Sequence, residues 1–89
     1  MKNRRTQYEI YWEILTFCKT QKTITSIIQH CNLNSKIVKY YITFLLKKNY
    51  LKKIDEKSMI YYIISDNAQD FLHLFSKLYK ELFEKKPFL

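Results

Sequence analysis

Residues 31–50 read CNLNSKIVKYYITFLLKKNY, and this stretch decides the fold. At about 100° of rotation per residue, Ile37, Val38, Tyr41, Ile42, Phe44, Leu45 and Leu46 fill one side of a helix. Lys36, Lys39, Tyr40, Thr43 and Lys47 fill a separate arc on the other side, and no aliphatic residue interrupts them. The spacing therefore predicts an amphipathic helix over residues 35–48 with a basic outer face. Asn34 or Ser35 can cap its start, because a short polar side chain accepts a hydrogen bond from a free amide of the first turn. Asn49 can end it, since Asn tolerates the left-handed backbone better than most residues.

Upstream, Thr6-Gln7-Tyr8-Glu9 fits a capping box that opens a first helix. Ile10, Tyr11, Ile14, Leu15, Phe17 and Cys18 then share one face, and the helix is expected to end near Lys19-Thr20. Lys22-Thr23-Ile24 reads as a very short strand or an entry turn. Thr23 or Thr25 caps a short second helix through Ile27, Ile28 and His30. Cys31-Asn32-Leu33-Asn34 is a tight turn, with Leu33 as the apolar plug of a helix-turn-helix. Downstream, Tyr50–Ile54 and Met59–Ile64 read as strands, joined by a turn at Asp55-Glu56-Lys57-Ser58 into a hairpin. Ser65 or Asp66 opens a last helix that runs to about Lys85, with Pro87 marking its end. The predicted class is α+β, mainly α with a small β-hairpin: a single winged helix-turn-helix domain over residues 1–89.

The last helix, residues 66–85, is too apolar for a thin domain to cover. Ala68, Phe71, Phe75, Leu78 and Leu82 follow a 3-4-3-4 spacing, and Leu72, Tyr79 and Phe83 widen the stripe. Pairing with a second copy is the simplest cover. The expected homodimer seam comprises Phe71, Phe75, Leu78, Tyr79 and Leu82, with Trp12 packed against the partner's last helix. A partly exposed Trp12 with no role is the alternative.

Charge is distributed unevenly. The 89 residues carry a formal charge of +8. Residues 1–6 hold Lys2, Arg4 and Arg5, and residues 36–57 hold seven lysines against Asp55 and Glu56; the intervening and final stretches each balance to zero. A concentrated excess of this kind implies a polyanionic partner. Duplex DNA fits, because its major groove admits one helix. Lys36, Lys39, Tyr40, Thr43 and Lys47 would face it. A lysine can meet guanine acceptors or phosphate, and Tyr or Thr can hydrogen-bond either or touch a thymine methyl. Ser35 at the helix start would meet phosphate. Lys52, Lys53 and Lys57 would form a basic wing, and Arg4 and Arg5 an arm reaching phosphate or the minor groove. A solvated lysine face and a solvated terminus are the plainer readings.

Other chemistry finds little support. The absence of glycine rules out Walker and dinucleotide phosphate loops. No nucleophile–base spacing recurs, so no enzyme activity is expected. Glu9 and Glu13, one turn apart, read as a surface pair. Cys18 and Cys31 fall on or beside apolar faces and read as buried thiols, and His30 and His73 lack flanking ligands for a metal. No cofactor, small-molecule substrate or membrane partner is expected. With neither a signal peptide nor a segment of roughly 20 apolar residues, a cytoplasmic, nucleoid-associated protein is expected.

Several stretches resemble the small archaeal winged-helix regulators, including the dimeric crenarchaeal chromatin-associated proteins. They are Arg4-Arg5-Thr6 into Gln7-Tyr8-Glu9-Ile10, Ile14-Leu15, Cys31-Asn32-Leu33-Asn34, Lys39-Tyr40-Tyr41-Ile42 with Leu45-Leu46, Asn49-Tyr50-Leu51, and Tyr61-Tyr62-Ile63-Ile64-Ser65 into Phe71-Leu72. The likeness spans about residues 4–83. It implies a homodimer joined by an antiparallel coiled coil of the last helices, two DNA-binding heads and no cofactor. Two usual glycines are replaced, by Asn49 after the third helix and by Ala68 at the opening of the last. The resulting expectation is a dimeric transcriptional regulator. A weakly specific architectural protein and a protein–protein adaptor are the alternatives.

Overall fold

The computed structural model describes residues 5–84. Arg4, Lys85 and Pro87 lie outside the described residues. In chain order the elements are α1 (Gln7–Phe17), α2 (Ile24–Cys31), α3 (Ser35–Lys47), β1 (Leu51–Glu56), β2 (Met59–Ile64) and α4 (Asn67–Tyr79), followed by a π turn over Lys80–Glu84. The expected α+β order is therefore present.

Local chemistry sets the helix ends. Thr6 and Glu9 exchange both capping-box bonds, at 2.8 and 3.1 Å. Thr23, not Thr25, caps α2 by accepting from the Ser26 amide. Asn34, not Ser35, caps α3 by accepting from the Ile37 amide at 2.8 Å. Asn32 ends α2 with φ 56°, and Asn49 follows α3 with φ 63°. Around Asn49 the backbone closes a Schellman motif. The Tyr50 amide donates to the Leu45 carbonyl at 2.9 Å and the Asn49 amide to that of Leu46 at 3.0 Å. The chain thus turns sharply out of α3 straight into the wing.

The wing is longer than expected and its turn tighter. β1 runs to Glu56, which pairs with Met59, so only Lys57 and Ser58 form the turn. Their φ values, 47° and 65°, are those of a two-residue type I′ turn. That geometry matches strand twist, which outweighs the cost of left-handed backbone at two non-glycine residues. Lys22 makes the short strand anticipated before α2. Its amide and carbonyl both bond Tyr62, at 3.0 and 2.8 Å, adding a single-residue bridge to β2.

The core lies among α1, α2, α3 and the base of the wing. Ile14, Leu15, Ile27, Val38 and Leu45 are fully buried, with Ile10, Ile42 and Leu51 beside them. Each such side chain contributes roughly 1.5–3 kcal/mol of burial. Leu33 packs on this cluster as the helix-turn-helix plug. Cys18 and Cys31 are buried within it as free thiols. Burial pushes their pKa up, to about 12 for Cys18 and about 11 for Cys31. Lys22 partly opposes the shift at Cys18, and Glu13 adds to that at Cys31.

α4 closes the other side of α1. Ser65 does not cap it. Its hydroxyl donates to the Asn49 carbonyl, which also accepts from Asn67 Nδ2 at 3.2 Å. Asp66 takes the cap position with helical backbone and makes no side-chain cap bond. Ala68 and Leu72 are buried against the core. Trp12 packs within its own chain: it stacks on Tyr79 at 6.0 Å, tilts against Phe75 at 5.7 Å and donates from Nε1 to Ser76 Oγ at 3.2 Å. Phe71 bridges Tyr50 and Phe75. The α-helical register ends at Tyr79 rather than near Lys85, and the π turn widens the spiral beneath Leu82.

Candidate nucleic-acid interface

α3 carries the basic surface. Val38, Ile42 and Leu45 anchor one side of it in the core, which fixes the opposite arc toward solvent. Ser35, Lys36, Lys39, Tyr40, Thr43 and Lys47 are all exposed on that arc. No carboxylate lies anywhere on α3. Lys48, just past the last turn, rests its ammonium over the Phe44 ring at 5.7 Å. The structure therefore brings together the α3 residues that the sequence grouped.

Aromatic rings brace this face from behind. Tyr40 meets Tyr41 edge-on at 5.5 Å, Tyr41 meets Tyr11 edge-on at 5.4 Å, and Tyr11 stacks on Phe44 at 5.2 Å. Burial first, then the neighbouring Tyr41, Tyr40 and Tyr8, push the Tyr11 phenol above its ordinary pKa, so it stays neutral. Such ring pairs add to area burial and limit the orientations open to Tyr40.

The acidic residues of the wing lie in its first strand rather than in its turn. Asp55 and Glu56, assigned to the turn from sequence, belong to β1 and flank Lys57 at the tip. Glu56 also accepts from Gln21 Nε2 at 3.3 Å. Lys52 and Lys53 are consecutive strand residues, both exposed, so they project to opposite faces of the wing. Lys52 lines a shallow concavity of about 310 Å³ with Asn49, Leu51, Ser65, Asp66 and Asn67, on the α4 side of the wing.

Arg5 is not a free arm. Its guanidinium pairs with Glu13 on α1, because one face of that helix passes beside the chain entry. Arg4 lies outside the described residues. Among the described residues no cluster of His, Cys, Asp or Glu could hold a metal ion.

Of the expected seam residues, Trp12, Phe71, Phe75 and Tyr79 face one another within the chain. Leu78 and Leu82 remain 54% and 59% exposed, and Leu74, absent from the expected set, is 64% exposed. Ile37 was also missed on the basic face. It is 40% exposed at the edge of the arc, one turn before Tyr40.

Among the described residues no helix is long and apolar enough to cross a membrane. No curated protein matches the sequence. The fold is similar to the crystal structure of Sso10a-2, a DNA-binding protein from Sulfolobus solfataricus. The TM-score is 0.73 at 24% identity, over 90% of this chain and 87% of that one. Residues 4–83 match the winged helix-turn-helix family. With a capped third helix, its Leu33 plug and a hairpin wing in sequence, and with the match spanning nearly the whole chain, the protein belongs to the winged helix-turn-helix family.

Proposed function

We propose that this protein binds duplex DNA by laying α3 in the major groove, and that it does so as a homodimer. One observation carries the reading. The outer arc of α3 presents Lys36, Lys39 and Lys47 with Tyr40 and Thr43, all exposed and free of any carboxylate, on the helix that this fold offers to DNA. Ser35, at the first helical position, adds a hydroxyl where backbone amides favour a phosphate. The wing contributes Lys52, Lys53 and Lys57, all exposed. Affinity comes mainly from phosphate contacts, so it falls steeply with salt. Sso10a-2, of similar fold, is described as a DNA-binding protein, which accords with the proposal.

The dimer half of the proposal rests on Leu74, Leu78 and Leu82, spaced four apart along one side of the terminal helical segment and left exposed. Two such strips laid together would cover each other. Dimeric binding at a promoter would regulate transcription by occluding or recruiting.

A second reading, an abundant protein of low sequence preference, is favoured by a separate observation. The exposed arc contains no Arg, Asn or Gln, the side chains that fork onto purine edges. Fluorescence anisotropy with a duplex of random sequence, repeated at rising salt, tests the shared core of both. The expected result is a linear fall of log affinity with log salt. An absence of binding even at low salt contradicts it. Selection from a random duplex pool separates the two: a strong consensus supports the regulator, and a flat outcome the low-preference protein.

A further inference from the structure

The way α3 could distinguish one base from another is narrowed by what it lacks. Forked recognition of guanine or adenine needs paired groups in one plane, as Arg, Asn or Gln supply. None is exposed on the arc. The nearest amide, Asn34, already engages its Oδ1 with the Ile37 backbone. The lysine ammoniums are point charges. They can donate to either purine N7, to guanine O6, to thymine O4 or to a phosphate, so they attract more than they discriminate.

What α3 offers instead is an apolar ridge. Ile37 and Tyr40 are 40% and 68% exposed. They sit three residues apart, and Thr43, also exposed, follows at the same interval with its γ-methyl. Residues spaced by three form one continuous row along a helix. The Tyr40 ring is braced by Tyr41, and Tyr41 in turn by Tyr11. The row is therefore partly pre-ordered and lies among Lys36, Lys39 and Lys47, which would draw it onto a polyanion.

Among the base edges of the major groove, the one apolar group is the thymine C5-methyl. We propose that the Ile37–Tyr40–Thr43 row reads thymine methyl groups, making α3 selective for thymine-bearing duplex DNA. This rests on the reading that α3 enters the major groove.

The test compares two probes of about 20 base pairs: alternating A·T duplex, and the same duplex with every thymine replaced by deoxyuracil. The second keeps pairing and charge but lacks the methyl. The intact protein is expected to bind the thymine probe more tightly, by about fourfold for each methyl it covers. Ile37→Ala with Tyr40→Ala should abolish the difference between the two probes, whatever it costs in overall affinity, and Tyr40→Phe should preserve it. Because these side chains are exposed, thermal melts of the variants serve as the folding control. Equal binding of both probes by the intact protein would overturn methyl reading and leave DNA binding standing. A double variant that keeps the full difference would also overturn it. Failure to bind either probe at low salt would overturn the DNA reading itself, and this inference with it.

Discussion

Helices α3 and α4 are both 13 residues long, and each buries one side in the same small core. Their outward sides differ. That of α3 carries lysines, hydroxyls and no acid. That of α4 carries one acid, Asp70, in its first turn and one base, Lys77, in its last, and exposes Leu74 and Leu78, with Leu82 just beyond in the π turn. An unbalanced basic face suits a polyanion and resists self-association, whereas a balanced face with exposed leucines suits another apolar face. Equal length and a shared core thus leave the outward residues to set the kind of partner each helix suits.

The largest expected effect comes from removing the charge of α3. Lys36→Ala, Lys39→Ala and Lys47→Ala together should weaken DNA binding by on the order of 100-fold at moderate salt and reduce the salt slope by up to about 3, in anisotropy titrations. The same triple variant should sediment as the unaltered protein does, since α4 is untouched. Next is Trp12→Ala, expected to cost about 3 kcal/mol in urea melts, because Trp12 holds Phe75, Tyr79 and Ser76 of its own chain. A loss that vanished in dilute protein would instead place Trp12 at a subunit contact. Leu74→Lys with Leu78→Lys should give a monomer by sedimentation and weaken DNA binding only through lost avidity, with the salt slope per head retained.

These contrasts were unequally legible in the sequence. The α3 arc was readable because a 3.6-residue period separates Lys39 and Thr43 cleanly from Val38 and Ile42. The caps of the first three helices were readable to within a pair of candidates, since Thr6, Thr23 and Asn34 belong to the few residue types able to accept from a free amide; that of α4 was not, because Ser65 bonds the Asn49 carbonyl and Asp66 makes no cap bond. The wing tip was not. A type I′ turn is usually announced by Asn or Gly, and here Lys57 and Ser58 carry it, so Asp55 and Glu56 were drawn into the turn although both belong to β1. The side of α4 facing its own body was hidden for another reason. Its apolar stripe is wider than one contact, and periodicity does not say which half the rest of the chain covers. Trp12 and Ser76, 64 residues apart, meet only through tertiary packing.

Smaller effects refine the account. Folding keeps both thiols protonated over a range where the unfolded chain has released them. Their contribution to stability is therefore complete below the ordinary thiol range and is lost as pH rises from there toward 11 and 12. Urea melts between neutral and strongly alkaline pH should show that decline, and Cys18→Ala with Cys31→Ala should reduce it, leaving the part that belongs to Tyr11, whose phenol is also held up by burial. Ser58→Gly should stabilise the wing by about 1 kcal/mol, because glycine adopts the left-handed backbone without strain. It leaves every lysine in place, so DNA binding should be unchanged.

The most direct measurement of the division between α3 and α4 is a backbone amide NMR titration of the labelled protein with a short duplex. The account predicts that shifts concentrate at residues 35–47, with lesser ones near Lys57, while residues 67–82 stay still. Shifts confined to α4, with α3 unmoved, would contradict it.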